Sequence, residues 1–394
     1  MRQHRSGIID SRLSLRGKLR VGYVPMIDCA PLVAAVELGL FTKYGSPVEL
    51  IREPGWATVR EKILHAELDA AHAPASMAFT ITCGINVVPR PCLTGLVLNL
   101  NGNAITLSNE LWDKGVRDAT SLKELIDREK GRRTYVFASV LDLSSQTYLL
   151  RKWLRSGGID PDRDVRLVVV PSRLVHENLM EGYLDGYCVA EPWNSILLLE
   201  GKAWSVATSA EIDAGHPEKV LLVLQKFAKR YPDLHLAMLA ALLEACAFCE
   251  EPANRPELIR MLALPRYLNV PERLLENSLL GHFNTGRGVK PAPDFITYHK
   301  DGANAPTRAK AKWVYNEIER NDLTAGRTAF RRDVMRKVFR EDIYEEALKL
   351  MRGSAPSADA GLPGGSPRAR AAAAGEIVRE ALLPPLSPPL VLSA

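Results

Sequence analysis

The feature that most constrains this chain is an alternation. From Leu19 onward a short apolar run is followed by an amphipathic stretch, and the pair recurs. Strands alternating with helices imply βαβ crossovers and a parallel sheet. The first block reads as the strand LRVGYVP, then a helix capped by Asp28 with Pro31 in its first turn, running to Gly45. The strand VELIRE, a helix from Trp56 to His65, the strand LDAAHAP and a strand INVVPRPC complete it. A second block repeats the order with LNGNAITLS, a helix capped at Ser121, TYVFASV, a helix from about Ser145 to Ser156, RLVVVP, the helix HENLMEGYLDG and YCVAEPW. After about residue 208 the strands are expected to give out into helices, beginning with KVLLVLQKFAKRYP.

Two α/β blocks followed by helices predict two lobes with a cleft between them. The expected division is 19–102 and 209–352 for lobe 1 and 103–208 for lobe 2. A basic arm occupies 1–18, and an Ala-, Pro- and Gly-rich tail expected to be disordered occupies 353–394. In open parallel sheets ligands sit beyond the carboxyl ends of the strands, where helix amino termini point. That directs attention to residues 25–31, 53–58, 72–77, 139–146 and 190–194.

Charge narrows the partners. The net charge of +5 is accounted for by Arg2, Arg5, Arg12, Arg16, Lys18 and Arg20 against Asp10. The body from 21 to 352 is neutral, so its net charge gives no footprint for direct nucleic-acid binding. The amino terminus shows no apolar run of the secretory kind, and no apolar stretch of membrane-spanning length is read anywhere. The six cysteines stand mostly in apolar surroundings, as reduced thiols do. The expected location is the cytoplasm.

No Walker A run, G-x-G-x-x-G, H-E-x-x-H or G-x-S-x-G occurs, and the eight histidines lack metal-ligand spacing. Cys246-Ala-Phe-Cys249 lies inside an apolar helical run without a second pair and reads as buried structural thiols. The chain is expected to be no enzyme and to need no metal or cofactor. Several residues fit the binding of a small oxyanion instead. Trp56 opens a helix at a strand end and offers an N–H and a flat face. Gln146 follows Ser144 and Ser145 at a helix amino terminus, where free N–H groups favour negative charge. Asn103 places an amide at the lobe crossover, and Lys219 stands at the return.

At these residues the sequence also resembles a known family. LRVGYVPMIDCAPLVAAVELGLFTKYG, EPGWATVREKI, LNGNAITLS, GGIDPD, YLDGYCVAEPWN and GHPEKVLLV are similar, in order, to the nitrate-binding proteins of bacterial ABC transporters. Bicarbonate-binding relatives and the cytoplasmic nitrate/nitrite sensor NasS belong to the same family. The resemblance implies a two-lobed periplasmic-binding-protein-like type II fold, α/β with a helical C-terminal part, closing over its ligand. It places Trp56, Asn103, Gln146, Ala190 and Lys219 at the ligand. Asn103 stands where nitrate binders carry glutamine, Gln146 where they carry histidine, and Ala190 where they carry glycine. Lys219 matches the nitrate binders, whereas bicarbonate binders are acidic there. The resemblance therefore implies nitrate or nitrite as ligand. With the cytoplasmic reading, the expectation is a NasS-type sensor that controls an RNA-binding antiterminator. The alternative is the solute-binding component of an uptake transporter with an ABC permease as partner; an enzyme or another receptor on the same fold is a more distant possibility.

Overall fold

The computed structural model describes residues 17–321 and 333–353. The expected tail and all but the end of the basic arm lie outside the described residues.

Strands β1 (Leu19–Tyr23), β2 (Val48–Arg52) and β3 (Ala70–Pro74) run parallel with β1 between the other two, as the alternation predicts. The short β4 (Cys92–Leu93) and β5 (Val97–Asn101) follow. The chain then leaves for a second sheet, built from β6 (Asn103–Ser108), β7 (Val136–Ser139), β8 (Arg166–Val169), β9 (Gly186–Ala190) and β10 (Ala203–Thr208) in the order β10-β6-β9-β7-β8. It returns through β11 (Pro217–Leu224), which lies between β5 and β3 and is antiparallel to both. A hairpin of β12 (His282–Asn284) and β13 (Val289–Pro291) precedes β14 (Ile296–Thr297), which closes the edge beside β5.

Both sheets are therefore mixed, not parallel, because the two crossing strands β6 and β11 enter reversed. β11 also corrects the reading of KVLLVLQKFAKRYP as a helix. A continuous apolar run suits a buried central strand as well as a buried helix, and the helix starts only at Gln225. INVVPRPC is not a strand beyond Cys92; Pro89 and Pro91 remove ladder donors, and the preceding ASMAFTITC forms the helix Ala75–Cys83 instead. The helix at Ser121 is capped by Asp118, whose carboxylate accepts from Ser121 N at 2.8 Å.

One core lies between β1, the Ala30–Glu37 helix and the long Pro232–Glu250 helix. That helix is apolar and long enough to cross a bilayer by length and composition. Here it is mostly buried and packs against the Ala30–Glu37 and Glu341–Gly353 helices. A second core sits between β6, β7 and the Ala119–Arg128 and Ser145–Ser156 helices. Those two helices approach closely at Gly157, where a Cβ would lie 2.2 Å from the carbonyl carbon of Ala119. A third cluster contains residues of both sheets, including Trp56, Val220, Tyr187 and Ala190.

Candidate functional site

The site grows out of an irregularity in β11. In a regular strand neighbouring side chains point to opposite faces, which would separate Glu218 from Lys219. The pairing with β5 shifts register on both sides of Lys219, and bulges of this kind re-aim side chains. As a result Lys219 Nζ meets Glu218 Oε1, and both residues are fully buried.

Around this pair stand six other residues. Asp28, in the turn before the Ala30–Glu37 helix, lies 2.8 Å from Lys219 Nζ through Oδ2. Its Oδ1 lies 3.0 Å from Nε2 of His72 on β3. Gln146, in the first turn of the Ser145–Ser156 helix, donates from Nε2 to Glu218 Oε1 at 3.0 Å and to Asn103 Oδ1 at 2.9 Å. Asn103, the first residue of β6, donates from Nδ2 to Glu218 Oε2 at 2.8 Å. His216 Nε2 lies 3.2 Å from the same oxygen. Trp56 opens the Trp56–Leu64 helix, its ring 5.3 Å from Lys219 Nζ and 5.4 Å from the His72 ring.

Four of the five residues expected at the ligand, Trp56, Asn103, Gln146 and Lys219, are thus brought together. The fifth, Ala190, is the register partner of Asn103 across β6 and β9 and is buried beside it. The sequence reading missed Asp28, His72, His216 and Glu218. Asp28 is no cap: the Ala30–Glu37 helix starts one residue after Cys29, without a side-chain cap, and the carboxylate serves Lys219 and His72. The signal that could have found these residues is their charge. Buried ionisable groups are rare unless paired, and Asp28, His72 and Glu218 all sit in apolar segments.

The electrostatics are those of a closed ionic cluster. Burial alone would push the Glu218 carboxyl up, but Lys219 and His216 outweigh it and hold it near 2. The same opposition of burial against Lys219 and His72 leaves Asp28 below the ordinary carboxylate range. Lys219 is raised, because Asp28 and Glu218 overcome the desolvation that would lower it. Among the described residues, no group of three or more His, Cys, Asp or Glu side chains is placed to hold a metal ion.

Glu218 thereby presents a planar, singly charged pair of oxygens held by two amides, an ammonium and an imidazole. Beside it, the Ser145–Ser156 helix begins with the buried hydroxyl of Ser145 unpartnered, and Gln146 Oε1 is unpartnered too. The site also joins the sheets: Asn103 and Gln146 belong with the second, Glu218 and Lys219 with the first. Near it, Ile27 N donates to Glu191 O at 3.0 Å, and Asn103 N donates to Ser209 Oγ at 3.1 Å.

The NMT1-like family is matched over residues 16–263. The chain belongs to the NMT1-like family. The nitrate import ATP-binding protein NrtC of Synechocystis sp. is 35% identical over 338 residues, which are 84% of this chain and 50% of that protein. This NMT1-like chain thus spans about half the length of the curated relatives it matches first. The nitrate/nitrite binding protein NrtA of Synechococcus elongatus is 30% identical over 343 residues, 84% of this chain and 77% of that protein. The crystal structure of the periplasmic nitrate-binding protein NrtA from Synechocystis PCC 6803 superposes with a TM-score of 0.80 at 27% identity, over 86% of this chain and 91% of that one. The fold is that of the periplasmic binding proteins, as the sequence resemblance implied.

Proposed function

We propose that this chain binds a small planar oxyanion of the nitrate type between its two sheets and serves as the solute-recognising part of a transport system. One observation carries the reading: Gln146, Asn103, Lys219 and His216 converge on the carboxylate of Glu218. A carboxylate and a nitrate share a flat arrangement of oxygens with one negative charge, so donors placed for the first suit the second. Lys219 supplies the neutralising charge and Trp56 a flat surface near it. The named relatives are binding and import proteins, which supports recognition and transport over catalysis.

Titration of the purified chain with nitrate, nitrite, hydrogencarbonate and sulfate by calorimetry tests the reading. Nitrate or nitrite is expected to bind most tightly, and no binding of any of these anions up to millimolar levels would refute it. The relatives also favour transport over the cytoplasmic sensor. A complex with an RNA-binding antiterminator, formed without ligand and lost with it, is the result that would turn the assignment to the sensor.

A further inference from the structure

We propose that the site takes up its anion together with one proton, seated on the pair His216 and Glu218. This rests on the oxyanion reading above and adds the charge state in which that anion is held. His216 Nδ1 lies 2.9 Å from the carbonyl oxygen of Asp213, and Nε2 lies 3.2 Å from Glu218 Oε2. Both neighbours are acceptors. A neutral imidazole carries one N–H, so a neutral ring beside an ionised carboxylate would set a lone pair against an acceptor. The seat is satisfied only with a second proton on the ring, as an imidazolium beside the Glu218 carboxylate. The ring is buried, and the indole of Trp313 lies 5.5 Å from it.

The surrounding charges decide what that proton does for an anion. Glu218 faces Lys219 on its own strand, His216 from the preceding turn, and the neutral amides of Asn103 on β6 and Gln146 on the Ser145–Ser156 helix. The buried thiol of Cys188 on β9 feels its field. Beyond Lys219 stand Asp28 and, behind it, His72 on β3. Without the shared proton, Asp28 and Glu218 oppose the single charge of Lys219, and the site is negative before any ligand enters. With it, the site is neutral, and a Glu218 carboxylate paired with an imidazolium no longer demands every other donor around it. Gln146, Asn103 and Lys219 can then turn to the incoming anion. Linkage is reciprocal, so the anion must raise the proton affinity of the pair by the factor that the proton raises the affinity for the anion.

The sign follows: nitrate binds best where the pair holds its proton and is lost as the pH rises. The test is calorimetric titration with nitrate from about pH 6 to about pH 9.5 at constant ionic strength, in two buffers of different ionisation enthalpy. The expected affinity falls by up to about tenfold per pH unit in the alkaline part of the range, with uptake approaching one proton per nitrate there. Glu218→Gln is expected to flatten this profile and to bind nitrate more tightly than the native chain at the alkaline end; His216→Gln is expected to flatten it as well. The buffer comparison on the native chain decides the matter should either variant fail to fold. Nitrate binding that is equal across the range, with heats independent of the buffer, overturns the proposal and leaves the oxyanion reading standing. Absence of nitrate binding at every pH, in native chain and variants alike, overturns both.

Discussion

Lys219 is fully buried yet carries its charge, since Asp28 and Glu218 hold it there. Replacing it with Met removes the cation and leaves two buried carboxylates uncompensated. Lys219→Met is expected to cost about 3–5 kcal/mol in urea unfolding, the usual result of breaking a buried ion pair from one side. It should also weaken nitrate binding by at least about a hundredfold, since the neutralising charge of the site is gone. Glu191 is the other telling carboxyl. Burial pushes it up to about 7 from the ordinary 4.5, only partly offset by bonds from Ser195 and Asn194. A raised acid binds its proton more tightly folded than unfolded. Its contribution is therefore complete below about pH 4.5 and is lost as the pH rises through about 7, by roughly 3 kcal/mol. Glu191→Gln is expected to gain stability relative to the native chain at pH 8 but not at pH 5, read by chemical denaturation at both. At this scale the sequence was partly legible. Trp56, Gln146 and Lys219 could be picked out because their types suit an anion where strands meet helices. Asp28 could not, because its partner is distant in the chain and a carboxylate before a helix reads first as a cap. Glu218 was hidden by strand alternation, which sends neighbours to opposite faces until a register shift intervenes.

Among the elements, the parallel trio β1, β2 and β3 was readable because each strand lies between turn signals and an amphipathic helix. β11 was not, since apolarity alone does not distinguish a central strand from a buried helix, and its neighbours β3 and β5 are distant in the chain. The ends of the Trp56–Leu64 and Ser145–Ser156 helices were legible to within a residue. The helix read as running to Gly45 instead stops at Glu37, before Gly39 in the left-handed conformation, and HENLMEGYLDG is helical only to Met180. Helix caps make direct tests. Asp118→Ala removes the acceptor of Ser121 N and is expected to cost about 1 kcal/mol. Gly157 answers a different demand. A methyl there would meet the backbone of Ala119 at 2.2 Å, so Gly157→Ala must push the Ala119–Arg128 helix from its neighbour. The expected cost is about 1–3 kcal/mol, measured by thermal unfolding.

For the molecule as a whole, an anion held by residues of both sheets acts as a clasp. Nitrate at a hundredfold excess over its dissociation constant is expected to stabilise the fold by about 2.7 kcal/mol, seen as a rise in melting temperature that Lys219→Met abolishes. The two-sheet organisation was foreseeable from the repeated alternation; the reversed entry of β6 and β11 was not, since the alternation shows the order of elements and not their direction. Gly102 alone separates β5 from β6, and both Asn101 and Gly102 have positive φ, 58° and 102°. A link one residue long lets the sheets rotate about it but gives them almost no slack to slide. Asn103 sits on that fulcrum, and Gln146 is held 2.9 Å from its amide oxygen on the same side. With both amides this close to the pivot, rotation would shift them little, so the donors would stay in register with Glu218 and Lys219 while the outer parts of the second sheet travel furthest.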